Sequence, residues 1–171
     1  MAQFGPAITV VLQSEGGYSD SRNDPGNWTG GAIGQGELKG TNFGISAHAY
    51  PDLDIKALTR EEAVAIYQRD FWRFSGIENQ RIATKIFDEY VNSKHHAIRV
   101  AQMALSTLQA GPIVADGNYG PQTEEALNAV DEESFMDEYK ARLCKMHCDD
   151  AIANPAEAGD LLGWLRRDVK G

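Results

Sequence analysis

Glu15 is the residue whose position most clearly suggests acid–base chemistry. It ends an apolar face with helical spacing, formed by Phe4, Ile8, Val11 and Leu12. Gly16 and Gly17 follow, and glycine favours the left-handed conformation of a helix C-cap, so we expect the helix to end there. Desolvation and the negative end of the helix dipole both disfavour a charged carboxylate at this place. The spacing predicts a raised pKa for Glu15, as a general acid requires, although a solvated helix end would use the same residues.

The segment 20–46 is rich in turn-forming residues, and it carries most of the other polar candidates. Short extended pieces at 31–33 and 42–45 predict weak strands in a hairpin or irregular lobe. Its candidate polar side chains include Asp20, Asp24, Glu37, Thr41 and Asn42, and the aromatic residues in and beside it are Tyr18, Trp28 and Phe43. Carboxylates, hydroxyls and flat rings on glycine-rich turns favour a sugar-binding groove. The alternative is a long surface loop.

Three motifs in this region resemble glycoside hydrolase family 108. They are residues 15–18, 23–26 and 40–46, and the resemblance continues through 66–72, 87–92, 116–123 and 163–167. Members of that family are N-acetylmuramidases, found as phage endolysins and prophage-derived lysozymes. The resemblance implies a mainly α, lysozyme-like α+β fold, in which a helical bundle carries a small β-hairpin lobe. It also implies a muramidase lobe over 1–92 and a predicted peptidoglycan-binding region over 93–171, packed as one structural unit.

The resemblance also assigns roles to individual residues. Glu15 matches the catalytic glutamate of the wider phage-lysozyme group, Asp24 matches its aspartate and Thr41 its threonine. Asp20 stays an alternative to Asp24, because the segment 28–39 lengthens the loop before Thr41. Candidate sugar contacts are Trp28, Asn42, Trp72 and Asn92. No metal or nucleotide cofactor is implied.

Helical patterns dominate after residue 58. Thr59 and Glu62 form a capping-box pattern, which predicts a helix from there toward Phe74. Five further apolar patterns predict helices, and each is expected to face the core. They are marked by Ile82, Ile86 and Tyr90; by Ile98, Ala101, Leu105 and Leu108; by Thr123, Ala126, Leu127 and Val130; by Phe135, Tyr139 and Leu143; and by Leu161, Trp164 and Leu165.

Charge and targeting signals limit the choice of partners and compartment. The net charge is -9, which argues against nucleic-acid binding and against non-specific adhesion to an anionic wall. No apolar run reaches the length of a membrane span, and residues 1–6 lack the features of a secretory signal. We therefore expect a monomer that is made in the bacterial cytoplasm, is released through a holin-type pore and acts on peptidoglycan in the periplasm.

Cys144 and Cys148 lie four residues apart in a predicted helix. Bridging them inside a helix would strain a disulfide, so we expect two reduced, partly buried thiols. Together with His147 they would offer three metal ligands, but a fourth ligand at a familiar spacing is missing. His95 and His96 are interpreted as a polar helix start.

The sequence as a whole predicts a hydrolase that cleaves the β-1,4 bond between N-acetylmuramic acid and N-acetylglucosamine. Glu15 would be the general acid, Asp24 would stabilise positive charge or activate water, and Thr41 would position that water. One alternative is a non-catalytic peptidoglycan-binding or secretion-associated protein. The other is a lytic transglycosylase, which forms an anhydro product without water.

Overall fold

The structure is a computed structural model that describes residues 1–155, 159 and 161–170. It divides into two compact units. The hairpin unit is Ile8–Trp72, and the helical unit is Met1–Ala7 together with Arg73–Gly171. The division falls inside the first helix, α1 (Phe4–Ser14). The division into 1–92 and 93–171 expected from the sequence stays a prediction.

Helix α1 forms as its apolar face predicts. Ile8 and Val11 are buried, whereas Leu12 and Glu15 are half-buried. The Glu15 amide donates to Val11 O at 3.1 Å, so Glu15 continues the last turn although the helix ends at Ser14. The expected left-handed C-cap is wrong, because neither Gly16 nor Gly17 has a φ in the left-handed region. Here the helix ends without the glycine geometry that the sequence favoured.

The hairpin unit contains one short antiparallel hairpin, in which β1 (Thr41–Asn42) pairs with β2 (Ile45–Ser46). Phe43 and Gly44 connect the strands with φ values of 50° and 78°. Two successive positive φ angles are typical of the type I′ turn, whose twist suits a two-residue hairpin. The strand expected at 31–33 is wrong. Turns occupy that stretch, and the extended pairing nearby joins Trp28 to Leu38 instead.

Helix α2 (Arg60–Asp70) closes the hairpin unit and begins at the predicted capping box. The Glu62 amide donates to Thr59 Oγ1 at 3.2 Å, and the Thr59 amide donates to Glu62 Oε2 at 2.8 Å. The expected continuation toward Phe74 is wrong, because the amides of Phe71 and Trp72 both donate to Tyr67 O. This convergence on one carbonyl interrupts the regular ladder after Asp70.

Five helices build most of the described part of the helical unit. They are α3 (Gln80–Tyr90), α4 (Lys94–Thr107), α5 (Pro121–Ala129), α6 (Glu132–Ala153) and α7 (Leu161–Asp168). Pro121 occupies the start of α5, where a missing amide proton costs nothing. The predicted patterns supply the core, with Ile82, Ile86, Ile98, Leu105, Phe135, Tyr139 and Leu143 all buried. The pattern on α7 is only half-buried.

The fold class predicted from the sequence is confirmed: the chain is mostly helical and carries a small two-stranded antiparallel sheet. Within the described ranges, every helix falls short of the length and apolar character that crossing a bilayer would require.

Candidate active site

The Glu15 carboxylate lies against the turn of the hairpin. A Cβ atom added to Gly44 would lie 2.7 Å from Glu15 Oε2 and 2.9 Å from Glu15 Cδ. The hairpin turn and the end of α1 are therefore in van der Waals contact at this position. This position favours glycine for two reasons: its φ of 78° is left-handed, and a Cβ atom here would displace the Glu15 carboxylate.

Tyr67 holds the same turn from the other direction. Its hydroxyl donates to Phe43 O at 3.0 Å, and its side chain is only 2% exposed. The Cβ atom imagined on Gly44 would also collide with this hydroxyl. Tyr67 and Glu15 thus border the same glycine, and α2 fixes the hairpin next to the candidate acid. Phe43 keeps a positive φ that costs a non-glycine residue free energy, and such strain is common at functional sites.

Thr41 is held by a buried amide. Asn27 is fully buried, its Nδ2 donates to Ser21 O at 3.0 Å, and its Oδ1 lies 2.7 Å from Thr41 Oγ1. Because the Ser21 carbonyl can only accept, this pair of contacts fixes the orientation of the amide. Thr41 must therefore donate its hydroxyl proton to Asn27. Its oxygen then faces other partners as an acceptor, which suits the orientation of a water molecule.

Asp24 and Asp20 are both exposed, and they differ in how their backbone is held. Asp24 caps a 3₁₀ turn (Pro25–Asn27), and its Oδ1 accepts from the Gly26 amide at 2.8 Å. Asp20 follows Ser19, whose backbone pairs with Thr41 through bonds of 2.9 and 2.8 Å. One candidate is thus held by its own turn, and the other adjoins the residue that pairs with Thr41.

The four candidate sugar contacts have different surroundings. Trp28 is half-buried, and its indole nitrogen donates to Arg22 O at 3.1 Å. Asn42 is 6% exposed, and its amide nitrogen donates to Ile55 O and Leu58 O at 3.2 and 3.3 Å. Those bonds give Asn42 a structural task, so its sugar contact stays a prediction that burial disfavours. Trp72 is half-buried just beyond α2.

Asn92 belongs to the helical unit, whereas the other site candidates belong to the hairpin unit. Its Nδ2 donates to Asp88 O at 3.1 Å, and its Oδ1 accepts from Arg167 at 3.3 Å. The structure gives it two protein partners and places it on the wall of a cavity in that unit. Its role as a sugar contact stays a prediction.

Three residues of the site were not singled out from the sequence. Asn27 lies in a turn-rich run, Gly44 lies in the motif 40–46 and in a predicted weak strand, and Tyr67 lies in the motif 66–72 on the helix that begins at the capping box. The type I′ turn was the available signal for Gly44, because the central residues of that turn need positive φ angles. Nothing local could show that Tyr67 and Asn27 reach the hairpin.

We expect Gly44→Ala to lower any catalytic rate that depends on the Glu15 carboxylate by about a hundredfold, because displacing a catalytic group by roughly 1 Å has effects of that size. Gly34→Ala is the matched control. Gly34 has the same kind of backbone, with a φ of 79°, but a Cβ there meets nothing within 4 Å. Both variants carry the left-handed penalty of about 1–2 kcal/mol. Equal activity losses in the two variants would assign the effect to backbone strain and remove the steric argument.

Comparison with known proteins places the chain in a family. Residues 8–93 match the family described as glycosyl hydrolase 108, and residues 96–169 match the predicted peptidoglycan domain. Among solved structures, SagA of Brucella abortus is similar with a TM-score of 0.66 and 22% sequence identity, covering 97% of this chain and 93% of that chain. That likeness establishes the fold. The curated proteins contain no match to the chain.

This chain is mostly helical and carries a small hairpin, with a half-buried glutamate against the hairpin turn. Its fold is lysozyme-like. The chain belongs to the glycosyl hydrolase 108 family. It is a glycoside hydrolase that acts on peptidoglycan, and peptidoglycan is its partner.

Proposed function

We propose that this protein is an N-acetylmuramidase that hydrolyses the β-1,4 bond between N-acetylmuramic acid and N-acetylglucosamine. The observation that carries the proposal is the position of Glu15, which lies at the end of α1 against the Gly44 turn. Such a half-buried carboxylate is suited to general acid catalysis. Because the chain belongs to the glycosyl hydrolase 108 family, the glycan strand is the substrate to test.

In the proposed reaction, Glu15 donates its proton to the glycosidic oxygen as the bond to C1 of the muramic acid breaks. Positive charge develops on C1 and on the ring oxygen, and the Asp24 carboxylate stabilises it or accepts a proton from water. Water then attacks C1 and loses one proton, to Asp24 or to a second water molecule, while the oxygen of the leaving sugar keeps the proton from Glu15. The raised pKa of Glu15 that this role requires stays a prediction.

Thr41 would orient the attacking water through its acceptor oxygen. Because the Thr41 hydroxyl donates to Asn27, a water molecule at Oγ1 must donate one of its own hydrogens. A lone pair on that water is then available to attack C1. Asn27 is a positioning residue in this scheme, since it acts only through Thr41.

We expect cleavage to invert the anomeric configuration, so that the α-anomer forms first from the β-linkage. An inverting site needs room for water between its carboxyls, which are then roughly 6.5–9.5 Å apart, against about 5–5.5 Å in retaining enzymes. Early-time NMR of the released reducing end measures the outcome. A β-anomer at the first time points would require a covalent intermediate on Asp24.

We expect Asp24→Asn to cost more activity than Asp20→Asn. Asparagine caps a helical turn about as well as aspartate, so Asp24→Asn keeps the contact with Gly26 and removes the charge. The matched change at Asp20 removes the same charge from a site without such a turn. Initial rates on purified cell walls compare the two variants. A larger loss at Asp20 would transfer the second carboxylate role to that residue.

The products of a complete digest test the proposed bond specificity. Reduction of the new ends with borohydride, followed by mass spectrometry, should yield muramitol. Glucosaminitol would identify a glucosaminidase, and anhydro-muramic acid would identify a lytic transglycosylase. Intact walls at high protein concentration would favour the non-catalytic binding protein.

We also propose that the protein acts as a monomeric phage-type endolysin. Its substrate lies outside the cytoplasmic membrane, and its motifs resemble those of holin-dependent endolysins. In a Gram-negative host, expression alone should leave cells intact, whereas co-expression with a holin should lyse them. Lysis without the holin would contradict this route, and light scattering of the purified protein would test the monomer.

A further inference from the structure

The helical unit brings together three metal-ligating side chains that the muramidase reaction does not use. Glu89 comes from α3, His147 from α6 and Asp168 from the last residue of α7. His147 Nδ1 lies 2.8 Å from Asp168 Oδ2, and His147 Nε2 lies 3.9 Å from Glu89 Oε1. One ligand atom from each residue lies within 4.8 Å of the others.

Both carboxylates are buried and poorly satisfied. Asp168 is 0% exposed, and its Oδ1 has no hydrogen-bond partner in the part of the chain that the structure describes. Glu89 is 4% exposed, and its contact with His147 is too long for a hydrogen bond. Buried charges are normally paired closely or bound to metal ions. Asp168 Oδ2 has His147 as its partner, whereas Oδ1 has the capacity to accept a further ligand such as a cation or a water molecule.

Two cationic side chains, Lys85 and Arg167, lie beside the cluster. Lys85 Nζ donates to the carbonyls of Arg167 and Lys170 at 2.7 and 3.2 Å. Arg167 pairs with Asp88 through Nη2 and Nε at 2.8 and 3.1 Å. Lys85 acts on Asp168 and Glu89 through charge, and Arg167 acts on Glu89, so a divalent ion would bind beside these cations once His147 has lost its proton.

The spacing of the cluster suits a small transition-metal ion. Nitrogen and oxygen ligands lie about 2.0–2.2 Å from zinc, so ligand atoms of a tetrahedral site are roughly 3.3 Å apart. Taking one ligand atom from each residue, the cluster spans up to 4.8 Å; the 2.8 and 3.9 Å contacts use different nitrogens of His147, so binding one ion draws the ligands together around one of them. Glu89 and His147 also line a cavity of about 300 Å³, together with Trp164 and Asp150. The cavity gives an ion an entry path and an open side.

We propose that Glu89, His147 and Asp168 bind a divalent transition-metal ion, with Zn²⁺ as the expected ligand. An imidazole favours zinc over magnesium or calcium, which prefer all-oxygen sites. The ion joins α3, α6 and α7 and holds the last helix in place. This site is independent of the proposed muramidase activity.

The test uses the full-length protein, freed of metal with a chelator and then titrated with Zn²⁺ against a chromophoric competitor. We expect one ion per chain and a rise in the unfolding temperature of about 5–10 °C when free zinc exceeds Kd a hundredfold. Glu89→Gln and Asp168→Asn should each weaken zinc binding at least about tenfold. Mg²⁺ should produce neither effect.

Matched variants separate this site from other zinc ligands in the chain. The variant Cys148→Ser and the double variant His95→Asn/His96→Asn should bind zinc as the wild type does. Unchanged zinc binding in folded Glu89→Gln and Asp168→Asn would overturn the proposal, as would its loss in the cysteine variant. If those acid variants do not fold, the visible spectrum of the wild type loaded with Co²⁺ decides. Intense sulfur-to-cobalt bands, or no bound cobalt, would contradict an oxygen and nitrogen site.

Discussion

Glu15→Gln is expected to reduce the rate of peptidoglycan cleavage at least about a hundredfold, and in practice to abolish lysis. Glutamine has nearly the shape of glutamate, but its amide cannot donate an acidic proton to the leaving oxygen. Loss of a general acid typically costs a factor of about 10²–10⁴. Clearing of purified cell walls, followed by turbidity over a wide range of enzyme concentration, measures the effect.

Glu37→Gln supplies the matched control for that experiment. Glu37 is an exposed glutamate of the same unit, paired with Lys39 at 3.6 Å on the surface. Surface pairs of this kind contribute about 0–1 kcal/mol, so this variant should fold and cleave as the wild type does. If Glu15→Gln clears cell walls at nearly the wild-type rate, Glu15 is not the general acid.

A fragment ending at Asn92 is expected to lose cooperative folding. The cut removes α4–α7 but keeps α3, whose Ile82, Ile86 and Phe87 are all no more than 1% exposed in the full chain. Exposing side chains of this kind costs about 1.5–3 kcal/mol each, which in sum rivals the whole stability of an ordinary domain. The fragment 1–92 should therefore show no sharp thermal transition, and it should aggregate or bind a hydrophobic dye.

The full-length chain measured under the same conditions is the reference for that fragment. A soluble 1–92 fragment with a single cooperative transition would establish a muramidase lobe that folds alone. The boundary between residues 92 and 93 would then separate two independently folding domains, and not only two sets of sequence motifs.

Local chemistry explains which elements the sequence predicts correctly. The capping box at Thr59 and Glu62 satisfies two helix amides with side chains three residues apart, so nothing distant is needed to form it. Pro121 starts α5 for a similar reason. The end of α2 depends instead on two amides converging on Tyr67 O, in a stretch with no glycine or proline to mark it.

The candidate site shows the same limit. The spacing of the apolar face predicts where Glu15 lies on α1, because helical periodicity is local. Its contact with Gly44 and the bond from Tyr67 to the hairpin join segments far apart in the chain. Only the folded structure brings these together, and the capping box that predicts α2 does not show that Tyr67 reaches the hairpin.

For His147, sequence spacing suggested the wrong neighbours. His147 was weighed as a ligand with Cys144 and Cys148, which share its helix. In the structure its nitrogens face Asp168 and Glu89, which come from two other helices. A helix supplies neighbours three and four residues away, whereas tertiary packing supplies the partners that a buried histidine needs.

Digestion of purified peptidoglycan in heavy-oxygen water tests the central claim most directly. If Glu15 drives hydrolysis at C1 of N-acetylmuramic acid, each new muramic acid reducing end should carry one heavy oxygen from solvent. Glu15→Gln should release no such ends above background. Anhydro ends without label would show that the protein is a lytic transglycosylase and not a hydrolase. Label on N-acetylglucosamine ends, or labelled muramic acid ends released equally by Glu15→Gln, would contradict a muramidase with Glu15 as its general acid.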